Sequence, residues 1–131
     1  MKKLKNSSIV LILLLLTASS CKKDTTLYQL FFFTNLQGQS GQLDLYINDN
    51  FSGKLPYVNH DGINFPDTLL PKTLNIGLKA GTYTLKGKDL NNDLKSNSTI
   101  QISSSKISIS GTMGGDALTV RSNSIVVNLF F

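Results

Sequence analysis

The chain has 131 residues, with 13 lysines and arginines against eight aspartates and a formal net charge of +5. Lys2, Lys3 and Lys5 carry three of those charges, so the remainder sets ten cations against eight aspartates, a net +2. A balance this even excludes the basic footprint of a nucleic-acid binder. The absence of Glu and Trp, with Asn, Ser, Thr, Leu and Ile in abundance, argues against a helical protein and for an all-β one.

Lys2, Lys3 and Lys5 precede an apolar run, Ile9 to Leu16, and then the small residues Thr17 to Ser20. Charge, short apolar core and small residues in that order form a secretory signal peptide. The core is too short to span a bilayer, which takes about 20 apolar residues. Ala18-Ser19-Ser20-Cys21 resembles the lipobox of bacterial lipoproteins, with Ala18 where that family usually carries Leu. The resemblance implies cleavage before Cys21 and acylation of its thiol and new amino terminus. It also implies sorting to the outer membrane of a Gram-negative bacterium, because Lys22 stands where a retention Asp would. Two or more acyl chains make a stable membrane anchor where one does not. The expected organisation is a cleaved signal over 1–20, a lipidated tether over 21–26 and one domain over 27–131. With its only cysteine acylated, the exported protein has no internal disulfide, thiolate metal site or thiol nucleophile.

Leu27 to Asn35 has a continuous apolar centre, Leu30 to Phe33, which suits a central strand covered on both faces. Gln37 to Gly41 reads as a turn. Gln42 to Ile47 alternates, with Leu43, Leu45 and Ile47 inward and Asp44 and Tyr46 outward. Asn48-Asp49-Asn50 is a tight turn, and Phe51 to Leu55 returns as the partner strand. Pro56 to Pro71 is the longest irregular stretch, of a length that is usually functional or mobile. Thr73 to Leu78 alternates again, Lys79-Ala80-Gly81 turns the chain, and Thr82 to Lys88 runs back. Asp89 to Asn97 reads as a polar loop, Thr99 to Ser103 and Lys106 to Ser110 as a hairpin, and Met113 to Asp116 as a glycine-rich loop. Leu118 to Arg121 and Ser124 to Phe131 complete the strands, the first and last being the most apolar and both expected in the core.

Short strands at this spacing predict a single antiparallel β-sandwich of about seven to nine strands. Leu43 to Pro56 resembles the strand-turn-strand of PEGA-type domains. Leu78 to Leu85, LKAGTYTL, resembles the Leu-x-x-Gly-x-Tyr hairpin of PEGA and of carboxypeptidase-regulatory-like or transthyretin-like sandwiches, and the sandwich is expected to be Ig-like or transthyretin-like. Those families are mostly non-catalytic accessory or surface-binding modules, and the resemblance implies no more than that.

Three places are candidates for chemistry. The 56–71 loop groups Tyr57, Asn59, His60, Asp61 and Phe65, aromatic rings beside polar groups as used for stacking on sugars or meeting a protein partner. His60 and Asp61 are also the one place where a histidine meets a carboxylate, the minimum for a small hydrolase. Asp89, Asn91 and Asp93 present oxygens at the first, third and fifth positions of a calcium-type loop. Leu94 replaces the usual Gly and no closing Glu follows, so a solvated turn is the simpler reading. Asp67-Thr68-Leu69 resembles an O-glycosylation acceptor. The terminal Phe131 is shared with outer-membrane barrel proteins, but the strands are too short for a barrel. No catalytic residue, cofactor or nucleic-acid partner is expected. The expected function is a membrane-anchored, non-enzymatic accessory or binding module of the cell envelope, with a glycan or an envelope protein as ligand. A structural subunit of a surface assembly is the alternative.

Overall fold

The computed structural model describes residues 25–35, 42–60, 64–113, 116–121 and 123–129. Among the described residues nine strands form two packed sheets: β1 (Leu27–Phe33), β2 (Leu43–Ile47), β3 (Asn50–Leu55), β4 (Leu74–Lys79), β5 (Gly81–Lys88), β6 (Leu94–Ile102), β7 (Ile107–Met113), β8 (Asp116–Arg121) and β9 (Ser124–Asn128). The four-stranded sheet runs β4-β1-β9-β8 and the five-stranded sheet β3-β2-β5-β6-β7. The expected sandwich is therefore present, with a departure from pure antiparallel pairing between its strands. The first and last strands lie side by side and parallel, Gln29 opposite Ser124 and Phe33 opposite Asn128.

The apolar run of β1 is explained by what lies above and below it. Leu30 and Phe32 point into the space between the sheets, where they meet Leu45, Leu55, Leu85 and Ile100, all fully buried. Phe31 and Phe33 point the other way, and Val126 of the neighbouring β9 joins them. A strand whose two faces are both covered has no polar side to alternate with. The cover on the outer side is the 56–71 segment, which lays Val58, Phe65, Leu69 and Leu70 over the sheet. It is tied on by main-chain bonds, Thr34 N–H to the Pro56 carbonyl and Val58 N–H to the Thr34 carbonyl, both 2.9 Å. Within it Asp67–Lys72 forms a 3-10 helix, with Asp67 in its first turn and Lys72 in its last, as the helix dipole favours.

The β2–β3 hairpin turns on two residues, Asn48 and Asp49, whose φ values of 50° and 64° are those a tight primed turn demands. Asn48 Oδ1 accepts from the Thr84 N–H at 2.9 Å, which pins the turn against β5. Gly53 on β3 has φ +142°, and a Cβ there would stand 2.9 Å from Leu74 Cδ2. Its bare Cα lets Leu74 of β4 close that side of the sandwich.

Two expectations are corrected. Lys79-Ala80-Gly81 does not turn a hairpin: β4 pairs with β1, whereas β5 pairs with β2 and β6, so the segment carries the chain from one sheet to the other. The Tyr83 hydroxyl donates to the Lys79 carbonyl at 2.8 Å and braces that crossing. The polar loop after β5 is also shorter than expected, since β6 begins at Leu94. Ser96 and Ser98 are its inward-facing residues, and buried serines hide the alternation. The signal segment, Cys21 and the tether to Asp24, the 37–41 turn, Asp61 and the final Phe130 and Phe131 lie outside the described residues.

Candidate functional site

The residues expected to form a binding rim are divided by the fold. Tyr57 is exposed to 45% and Asn59 is exposed, whereas Phe65 is buried to 1%. The Phe65 ring lies 4.9 Å from Phe33 at a tilt of 39° and so belongs to the outer apolar cluster. His60 is half-buried, its ring edge-on to Phe65 at 5.1 Å and 76°, and its main-chain N–H donates to the Val58 carbonyl at 2.8 Å. Asn64 adopts a left-handed φ of 52°, turning the chain into Phe65. Asp61 lies outside the described residues, so the pairing of His60 with it is not described. The described part of the loop lays Val58, Phe65, Leu69 and Leu70 over the sheet and leaves Tyr57 and Asn59 at the surface.

Of the calcium-type candidates, Asp89 is buried to 5% and turned into its own loop. Its Oδ1 accepts from the N–H groups of Asn91 and Asp93, both at 2.9 Å, and Lys95 Nζ stands 3.8 Å from Oδ2. Asn92 supplies the left-handed residue, φ 64°, that lets this turn close. Asp89 here performs the work of a turn, satisfying amides that burial would otherwise strand. Among the described residues no three His, Cys, Asp or Glu side chains converge as metal ligands.

A hollow of about 440 Å³ lies at the end of the sandwich where the chain enters β1, lined by Thr26, Tyr28, Ser104, Lys106 and Asn123 among others. Ser103 Oγ there donates to the Lys106 carbonyl at 2.8 Å and accepts from its N–H at 3.0 Å, which closes the β6–β7 turn.

The outer face of the five-stranded sheet differs from its counterpart. Among the described residues none of its outward side chains is buried, from Lys54 on β3 to Ser110 on β7. Strand register places Phe51, Tyr46, Lys86 and Asn97 side by side in one row across β3, β2, β5 and β6. A second row sets Thr84, Thr99 and Ser110 beside it. Phe51 is exposed to 59% and meets Tyr46 edge to face, ring centroids 5.8 Å apart at 70°. Lys88 Nζ sits 4.6 Å above the Tyr46 ring, a cation–π contact that holds the tyrosine flat. Lys86 Nζ reaches Asp49 Oδ1 at 2.6 Å. The hydrogen bond from Lys86 and then its charge keep the Asp49 carboxyl below the usual carboxylate range, against a slight desolvation, with Lys88 adding a smaller pull.

Further along this face a hollow of about 350 Å³ is lined by Asn97, Ser98, Thr99, Ser110 and Gly111. Ser98 itself, paired with inward-facing Leu85, points to the core side of the sheet; it is exposed to only 1%, and its Oγ has no hydrogen-bond partner among the described residues. A Cβ on Gly111 would stand 2.5 Å from that oxygen and 2.7 Å from the Asn97 carbonyl, so only glycine leaves room for the Ser98 hydroxyl. A bulge between Asn97 and Ser98 shifts the register at the same point. The position of Tyr46 was readable from alternation, but the row it forms with Phe51 and Asn97 depends on strand partners. Comparison of the chain with protein-family models, with curated proteins and with solved structures finds no match to any of them.

Proposed function

We propose that this protein is a lipid-anchored module of the bacterial cell envelope that works by binding and not by catalysis. The observation that carries the reading is the asymmetry of the sandwich. The centre of one outer face is covered by Val58, Phe65, Leu69 and Leu70 of the chain's own 56–71 segment, and the other face is left open with an exposed aromatic pair among polar side chains. Exposed aromatic rings with adjacent polar groups are the equipment of recognition surfaces. The anchor rests on the lysine-rich start, the apolar run and the small residues before Cys21. Outer-membrane sorting follows from Lys22 in the lipobox resemblance.

Palmitate labelling of the wild type and of Cys21→Ser tests the anchor. Label on the wild type alone is the expected result, and equal labelling of both sinks the lipoprotein reading. Esterase or glycosidase activity lost on His60→Ala would replace the binding module with the hydrolase. Stoichiometric recovery of envelope proteins without glycan affinity would favour a subunit of a surface assembly, for which the edge strands β3 and β7 offer pairing groups.

A further inference from the structure

We infer that the end of the sandwich where β1 begins is its membrane-facing base, resting on the phosphates of an anionic phospholipid surface. This deepens the lipid-anchored reading and rests on it for bringing a membrane within reach.

Strand direction sorts the charges between the two ends of the sandwich. β1 and β9 begin at the base and β4 and β8 end there, with Leu27 opposite Lys79 and Ser124 opposite Arg121. In the facing sheet β5 leaves the base at Gly81, opposite Ile102, and Ser103 to Lys106 close the β6–β7 turn beside it. Lys79, Lys106 and Arg121 thus arrive at one end from three separate connections. Lys79 and Lys106 are exposed, and among the described residues neither has a carboxylate at ion-pair distance.

The carboxylates lie elsewhere. Asp44, Asp89, Asp93 and Asp116 belong to the far end, where β5 ends and β2, β6 and β8 begin, with Lys54, Lys88 and Lys95 among them. Asp67 sits in the segment that joins β3 to β4, and Asp49 is taken by Lys86 at 2.6 Å. An anionic surface therefore attracts the base and finds no matching excess of cations at the other end.

The anchor enters at the same place. Cys21 precedes Leu27 by six residues, which extend to at most about 20 Å, and Lys22 and Lys23 outnumber Asp24 between them. Leu27 is half-exposed and lies over Gly77, one strand from Lys79. An apolar side chain beside lysines suits the boundary between headgroups and acyl chains. The hollow of about 440 Å³ also opens here, with Thr26, Ser104, Ser105, Lys106 and Asn123 in its lining. Hydroxyls, an amide and an ammonium are all donors, and a lipid phosphate is an acceptor that matches them.

The chain contains no tryptophan, so Leu27→Trp supplies a single reporter of contact with lipid. The acylated full chain carrying it is floated with vesicles of brominated phosphatidylcholine, alone or mixed with brominated phosphatidylglycerol. The anchor predicts flotation with both. The base predicts quenching and a blue shift on the anionic vesicles alone, reversed near 1 M salt, where the Debye length falls to about 3 Å. Each cation near such a surface strengthens contact about fivefold, so Lys79→Gln with Lys106→Gln lowers the docked-to-free ratio about 25-fold. Lys54→Gln with Lys72→Gln, an equal loss of charge away from the base, leaves it unchanged. Thermal melts confirm that each variant folds. Equal emission on the two kinds of vesicle, or equal losses in the two double variants, overturns the base while flotation leaves the anchor standing. Failure to float with either vesicle overturns the anchor and this orientation with it. Burial of the tryptophan that requires an added envelope protein and not anionic lipid gives this end to a protein partner and overturns the ligand class.

Discussion

Replacing Phe65 with alanine distinguishes a loop that belongs to the fold from one held ready for a ligand. Phe65 is buried to 1% and fills the outer cluster with Phe33, Val58 and Val126. Truncating a buried phenylalanine costs about 3–5 kcal/mol through lost transfer energy and the cavity left behind. The covering segment lies on the outside of a sheet and relaxes into the gap more readily than the interior between two sheets. The lower end, about 3 kcal/mol, is therefore expected. A domain of this size holds about 5–15 kcal/mol in total, so the variant still folds, with its melting midpoint lowered by about 12 °C. Circular dichroism melts and urea titrations of wild type, Phe65→Ala and Tyr57→Ala measure this. Tyr57, with 45% of its surface exposed, is expected to cost no more than about 0.5 kcal/mol. A loss below about 1 kcal/mol for Phe65→Ala, or an equal loss for Tyr57→Ala, would refute the assignment of this segment as cover.

Three further predictions rest on single residues. Gly53→Ala combines an unfavourable φ of +142° with a Cβ 2.9 Å from Leu74 Cδ2, so it should lower stability by about 1–3 kcal/mol in urea titration; a neutral result would mean the β3–β4 closure is loose. Asp89→Ala strands the amides of Asn91 and Asp93 and should cost about 2 kcal/mol, whereas millimolar calcium should not move the wild-type melt; a calcium-dependent rise would restore the cation-loop reading. The Asp49 carboxyl is held low by Lys86, and a lowered folded value means its contribution is full above the unfolded carboxylate range and disappears as pH falls through the folded value. An NMR titration should show the Asp49 midpoint move upward in Lys86→Ala, and no movement would mean the 2.6 Å contact is not kept in solution.

Much of the fold was legible because burial writes itself into the residue pattern. The alternation of Leu43, Leu45 and Ile47 located β2 and its inward face, and Asn48-Asp49 announced the hairpin turn that follows. The unbroken apolar centre of β1 correctly implied cover on both sides. What covers it was not legible, because Val58, Phe65, Leu69 and Leu70 sit in an irregular segment with no period to reveal a common face. Partner choice was equally hidden. A period of two specifies which side of a strand is buried and says nothing of the neighbour, so the passage from β4 to β5 read as a hairpin although it joins two sheets. Ser96 and Ser98 concealed the start of β6 because buried hydroxyls resemble loop residues. The open face was half visible: alternation put Tyr46 outward, and only register brought Phe51, Lys86 and Asn97 into line with it.

The parallel pairing of β1 with β9 also sets an order of events for the newborn chain. Gln29 to Phe33 lie against Ser124 to Asn128, so the first strand waits for nearly the whole polypeptide before that flank is occupied. Until then its phenylalanines and unpaired amides form an adhesive ribbon, of the kind that joins wrongly with other chains. Contacts this distant in sequence also close slowly, since the intervening loop must be gathered first. A chain cut before Ser124 is therefore expected to retain the β2–β3 hairpin and the β5–β6–β7 meander as local structures while its four-stranded layer stays unassembled. Under the export proposed above, such lateness would be useful: the layer that makes the domain rigid would not form until the thread had passed.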